Sequence, residues 1–277
     1  MILREYSLPA GWYPRDSRGV SDFLSNFDRP ALLSNAAIAP HAGWYYSGRT
    51  AARAVCALEP KVETIVVLGG HLPSGAPPLF AMEDAVRTPF GHMSIDSELR
   101  SLLQNEINGA EDRFRDNTVE VLLPMVRFYF PNAMLLWLRL PAEIASFEAG
   151  KKIFQTAAKL NRKINVLGST DLTHYGSNYG FSPKGTGITA LRWVREVNDA
   201  NFISAVESGR SDEVLRRAEQ DSSACSAGAV LGAMGFAQEA KLGAARLLEY
   251  ATSAGDVTDD DDEAPDSFVG YAAFAFG

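Results

Sequence analysis

Thr64-Ile65-Val66-Val67-Leu68-Gly69-Gly70-His71 decides how this chain is read. Its first five residues form a continuous rather than alternating run, which predicts a strand buried on both faces. Two glycines then let the backbone turn tightly before a histidine. The same grammar recurs outward from this stretch. Residues 36–39 lead through Pro40 to His41, and residues 164–167 lead a few positions on to Asp171 and His174. Further runs at 134–138, 247–250 and 268–276 also read as strands. Helical periodicity fills the intervals at 48–58, 96–104, 142–160, 188–206, 212–219 and 227–240, with Asp96 as an N-cap. Pro124 interrupts 119–130, so a short or kinked helix is expected there. Strands alternating with helices predict an α/β fold with a largely parallel sheet covered on both faces. No internal repeat or linker divides the 277 residues, and one domain is expected.

Composition narrows the function classes. Apolar residues at 46% and charged residues at 22% suit a globular protein with a substantial core. A formal charge of −8 argues against nucleic-acid or anionic-membrane partners, which select for basic patches. No apolar run approaches a membrane span. The opening Met1-Ile2-Leu3-Arg4-Glu5-Tyr6 carries a charge pair where a signal peptide needs an apolar stretch, so a cytoplasmic protein is expected. Asp259-Asp260-Asp261-Asp262-Glu263 reads as a solvated loop between the last two strands.

The chemistry gathers at strand ends. In a parallel sheet all carboxyl ends open on one edge, where ligands bind. His41, His71, Asp171 and His174 therefore converge from three distant parts of the chain. Neutral imidazole is the commonest ligand for iron, copper and zinc, which makes a metal the natural occupant. Asp171 and His174 are spaced i, i+3. On a helical turn the carboxylate would orient the imidazole, and an Asp N-cap is the competing reading. Trp44, Tyr45 and Tyr46 are either a pocket wall or core. His92 follows no strand end of this kind and is read as non-ligating.

Of the two cysteines, Cys56 lies in an alanine-rich helical segment and reads as a core residue. Cys225 precedes an apolar helix, whose free N–H groups would stabilise its thiolate. A buried structural cysteine is the alternative.

Several segments resemble the MEMO family. They are Ala10-Gly11-Trp12-Tyr13-Pro14, Ile38-Ala39-Pro40-His41-Ala42-Gly43 with Tyr46-Ser47-Gly48, and Thr88-Pro89-Phe90-Gly91 with Asp96. Glu120 with Leu123-Pro124, and Ser169-Thr170-Asp171 followed by His174-Tyr175-Gly176, continue the series. The family is similar in fold to class III extradiol dioxygenases. The resemblance implies a three-layer α/β/α domain and one transition metal, iron or copper with zinc as an alternative. The implied ligands are His41, His71 and Cys225, with Asp171 and His174 as catalytic groups nearby. It also implies a functional link to a radical-SAM protein.

The chain departs from the family pattern at three places. Asp116-Asn117-Thr118 stands where members carry Glu-His-Ser, and Asn117 cannot carry a proton near neutral pH. The stretch before His71 is shortened to Gly69-Gly70. Arg139 stands at an apolar position, as a pocket cation or a surface residue. Asn117, Trp44 and Tyr46 are expected to line the pocket, Asn117 without touching metal.

Three functions fit this reading. One is a mononuclear metal oxidoreductase of dioxygenase-like fold, and another a zinc-dependent hydrolase. The third is a non-catalytic protein that holds a small molecule or peptide in the same pocket.

Overall fold

The computed structural model describes residues 1–31, 33–255, 257 and 264–277. The acidic run Asp259–Glu263 lies outside the described residues. The strands are β1 (Leu3–Arg4), β2 (Ala36–Ala39), β3 (Thr64–Leu72), β4 (Leu79–Phe80), β5 (Ala85–Thr88), β6 (Gly91–Ser94), β7 (Ala110–Glu111), β8 (Met134–Pro141), β9 (Ile164–Ser169), β10 (His174–Gly176), β11 (Ala245–Thr252) and β12 (Ser267–Phe276). The helices are α1 (Ser17–Leu24), α2 (Trp44–Cys56), α3 (Ser97–Glu106), α4 (Asn117–Glu120), α5 (Leu123–Tyr129), α6 (Ala145–Lys159), α7 (Ile188–Trp193), α8 (Asp199–Glu207), α9 (Ser211–Gln220) and α10 (Ala227–Glu239).

Each of the six expected strands is present, and Asp96 caps α3 by accepting from Leu99 N at 3.1 Å. The segment around Pro124 splits into α4 and α5, with the proline in the first turn of α5, where its missing N–H costs nothing. The expected helix 188–206 is interrupted by a π-turn at Val194–Asn198.

The main sheet runs β10-β12-β2-β9-β3-β8-β4-β7, with β11 also paired to β12. Its centre, β2-β9-β3-β8, is parallel, and β12 and β4 flank it antiparallel. The sheet is therefore mixed. Alternation along the strands sorts the core into two layers. Ala36, Ile38, Val66, Leu68, Leu136 and Leu138 pack with α3, α6, α8 and α10. Ala37, Ala39, Ile65, Val67, Leu135 and Trp137 pack with α1, α2 and α5 on the other face. This is a three-layer α/β/α architecture, as expected. A hairpin of β5 and β6 with β1 forms a small separate sheet, and the exposed His92 lies on it, away from the strand ends. Among the described residues, no helix is long and apolar enough to cross a membrane.

Because β9 lies between β2 and β3, the residues that follow these three strands emerge side by side at one edge. That placement builds the site.

Candidate metal centre

His41 follows β2 and is buried. Its backbone N–H donates to Asp171 Oδ1 at 2.7 Å, and its ring Nδ1 lies 2.8 Å from Ser169 Oγ. Nε2 faces the Cys225 sulfur at 3.2 Å. His71 meets the same point from β3, its ring perpendicular to that of His41 with centroids 4.9 Å apart. The His71 Nδ1 is 3.0 Å from Asp116 Oδ2. Cys225 arrives on the loop before α10, its N–H donating to Asp171 O at 3.2 Å. One ligand atom each from His41, His71 and Cys225 lies within 4.8 Å of the others.

The tight turn expected at Gly69-Gly70 does not occur. The strand continues through Leu72, and the left-handed backbone falls on His71 itself, at φ 56°. The two glycines serve close packing instead. A Cβ on Gly69 would land on the Thr118 hydroxyl, and one on Gly70 on the Ser226 side chain. Their absence of side chains brings the Asp116–Thr118 segment and the Cys225–Ser226 segment against β3.

Charge in the cluster is arranged around the sulfur. Burial would raise the Cys225 thiol, yet His41 and His71 hold it well below the usual 9.0. Burial would lower the His41 imidazole, but Asp171 and the sulfur raise it above 6.5. His71 is desolvated too, but its bonds to Asp116 and Cys225 carry it up to about 10. Asp171 is raised above 3.8 by burial, against the pull of His41. The imidazoles and the sulfur thus favour one another's charged forms, and a metal cation bound there would take the place of the imidazole protons. Cys56, by contrast, is buried with its thiol raised by desolvation.

The donor set fits a transition metal. Both imidazoles have Nδ1 engaged, by Ser169 and by Asp116, which leaves Nε2 of each for a common ion. Ligands at tetrahedral bond lengths stand roughly 3.5 Å apart. The His41–Cys225 pair is already at 3.2 Å, and no pair of the three is wider than 4.8 Å.

The remaining expected residues divide. Asn117 lines the cavity beside the cluster, with Nδ2 donating to His41 O at 3.0 Å. Tyr46 also lines it. Trp44 does not. It is buried against Phe23 and Tyr13, and its indole N–H donates to Val121 O at 2.9 Å. Successive helical residues point about 100° apart, so the first turn of α2 sends Trp44 to the core and Tyr46 to the cavity.

Asp171 and His174 both line the cavity, but no helical turn joins them, and Asp171 caps no helix. Asp171 lies on the loop after β9, where its carboxylate serves His41. The His174 Nδ1 sits 3.1 Å from Leu172 O. Arg139 is neither in the cavity nor on the surface. It is buried, 3.3 Å from both Asp112 Oδ1 and Asp116 Oδ2, and its Nε donates to Gly70 O at 3.0 Å.

The cavity measures about 720 Å³. Trp12, Tyr46, Tyr179 and Tyr271 wall it, with the amides of Asn117 and Asn178 between them. A smaller cleft of about 350 Å³ reaches Cys225 from behind His174 and Tyr179. Tyr179 and Tyr271 were missed from the sequence, as was the part that Ser169 and Asp116 play. Ser169 and Asp116 stood inside quoted segments, but only a fold brings each to its histidine.

Fold and site together define a three-layer α/β protein with a His–His–Cys cluster at the carboxyl edge of its parallel strands. The family model for Memo-like proteins matches residues 4–275, and the chain belongs to that family. It is 28% identical to a MEMO1 family protein of Methanococcoides burtonii over 98% of each chain. It is 30% identical to one of Pyrococcus abyssi over 97% of each. Among solved structures, the uncharacterized protein JW3007 from Escherichia coli K12 matches at TM-score 0.42 and 13% identity, covering 78% of this chain and 88% of that one.

Proposed function

We propose that this chain is a single-domain cytoplasmic protein that holds one iron or copper ion through His41, His71 and Cys225. In this reading it acts as an oxidoreductase on a small organic molecule or short peptide in the adjoining cavity. One observation carries the reading: two imidazoles with Nδ1 engaged and a thiolate converge beside an aromatic-walled cavity. A metal bound there supplies Lewis-acid or one-electron chemistry. The chain's own groups do the rest. Trp12, Tyr46 and Tyr271 offer flat apolar faces to a planar substrate. With Nδ1 against Leu172 O, His174 keeps Nε2 to take or give a proton at the cavity. Asn117, an amide, shapes the wall without moving protons.

Metal analysis of protein purified without an affinity tag tests this. One iron or copper per chain is the expected result. Zinc in stoichiometric amount would turn the reading to a hydrolase, because zinc supports no redox step. Failure to take up any transition metal on reconstitution would leave a ligand-binding protein and overturn the proposal.

A further inference from the structure

Two irregular stretches deliver the site residues that the parallel strands do not carry. Residues 170–173 hold Asp171 and lead into His174 at the start of β10, and residues 221–226 hold Cys225. Their backbones meet through Cys225 N to Asp171 O at 3.2 Å, and Ser226 N donates to Thr170 Oγ1, also at 3.2 Å. Irregular backbone leaves polar groups that side chains can satisfy, and two neighbours that do so are Asn198 and Asp199, where the π-turn passes into α8.

The Asn198 side chain is buried, and its Nδ2 donates to Thr173 Oγ1 and to Asp221 O, both at 2.9 Å. One amide thus spans both stretches. Asp199 is fully buried. Its Oδ1 accepts from Thr173 N at 3.1 Å and Thr173 Oγ1 at 2.5 Å, and its Oδ2 accepts from Tyr250 OH at 2.8 Å. Thr173 lies between Asp171 and His174, so its hydroxyl is the hub of the network. In a regular α-helix adjacent residues point about 100° apart. A π-turn here aims two neighbours at one loop, and such turns recur at functional sites.

We infer that Asn198 and Asp199 are positioning residues: through Thr173 and Asp221 they set where Cys225 stands relative to Asp171 and His174. Neither lines the cavity or belongs to the His–His–Cys cluster. The inference rests on the metal-centre reading for its consequence, a tighter site, but not for its geometry.

The test uses the full chain and cobalt(II) as the probe. Asn198→Leu removes both donated bonds at similar volume, and Thr173→Val removes the hub hydroxyl. Both should weaken cobalt binding by about 10- to 100-fold, read from thiolate-to-cobalt absorption. Thr173→Ser keeps the hydroxyl and should hold cobalt as the wild type does. Ile153→Ala, in the core on α6, controls for general destabilisation and should leave cobalt affinity unchanged. A second readout needs no metal: the rate of Cys225 alkylation in native apo-protein should change in Asn198→Leu and Thr173→Val but not in Thr173→Ser. If wild-type protein gives no thiolate–cobalt band, the metal reading fails while the alkylation series still judges the positioning. Should Thr173→Val match Thr173→Ser in both readouts, or Asn198→Leu match Ile153→Ala, the inference is overturned. Thr173→Val decides alone if Asn198→Leu does not fold.

Discussion

Two polar clusters support different parts of the site, one behind His71 and one behind the Asp171–His174 stretch, and they are built on different electrostatics. Under His71, Arg139 stands between Asp112 and Asp116, a cation between two carboxylates. Burial would raise Asp116, but His71, Thr118 and Arg139 bring it down to about 2. Under the Asp171–His174 stretch, Asp199 has only neutral donors, and burial pushes it up to about 7 in spite of Thr173 and Tyr250. Asp199 is fully buried, and the Asp116 side chain keeps only 8% exposure, so burial opposes ionisation of both. What differs is whether a full positive charge or only hydrogen-bond dipoles replaces the lost hydration.

The largest expected effect comes from breaking the first cluster. Arg139→Met removes the cation that Asp112 and Asp116 share, leaving as charged partners only Arg4 at 3.8 Å for Asp112 and His71 at 3.0 Å for Asp116, and should cost about 3 kcal/mol of stability. Urea unfolding measures it, and a loss under 1 kcal/mol would mean the cluster is not held by charge. The same substitution should loosen His71, because Asp116 then keeps, besides His71 itself, only Thr118 to hold it in place.

The pH dependence of stability should separate the clusters by sign. Asp116 sits below its ordinary 3.8, so its contribution is present above pH 3.8 and lost as pH falls toward 2. Asp199 sits above 3.8, so its protonated form favours the fold below pH 3.8. That contribution is lost as pH rises through about 7. Each group can supply a slope of up to about 1.4 kcal/mol per pH unit inside its own window. Denaturant midpoints from pH 4 to pH 8 should therefore fall more steeply in wild type than in Asp199→Asn, which removes the titration. Equal slopes in the two proteins would refute the assignment for Asp199.

Smaller effects sharpen the contrast. Asp116→Asn keeps a hydrogen-bonding group against His71 but removes its charge, and should weaken metal binding by about 10-fold. Equilibrium titration with cobalt(II) reads this directly. Tyr250→Phe takes one neutral donor from Asp199 and should cost about 1 kcal/mol, with a further rise in the Asp199 titration midpoint. A cost as large as that of Arg139→Met would erase the distinction between the clusters.

Much of this molecule was legible in its chain. Continuous apolar runs located five of the main strands, because a strand buried on both faces has no polar side to show, whereas β11 proved partly exposed, with Leu247 and Leu248 on the surface. Histidines placed just beyond such runs pointed to the carboxyl edge, where β2, β9 and β3 bring His41, Asp171 and His71 together. The two-residue strands β1, β4 and β7 are too short to carry a period, and only pairing defines them. Tertiary structure also decided which face of α2 is core, hence the division between Trp44 and Tyr46. It turned Gly69 and Gly70 from an expected turn into spacers, and it moved the left-handed backbone to His71. Above all it chose the partners of each buried charge. Local sequence names the groups that can ionise. Only packing determines whether Arg139 finds two carboxylates and whether Asp199 finds none but neutral donors, since desolvation and contact act through space rather than along the chain.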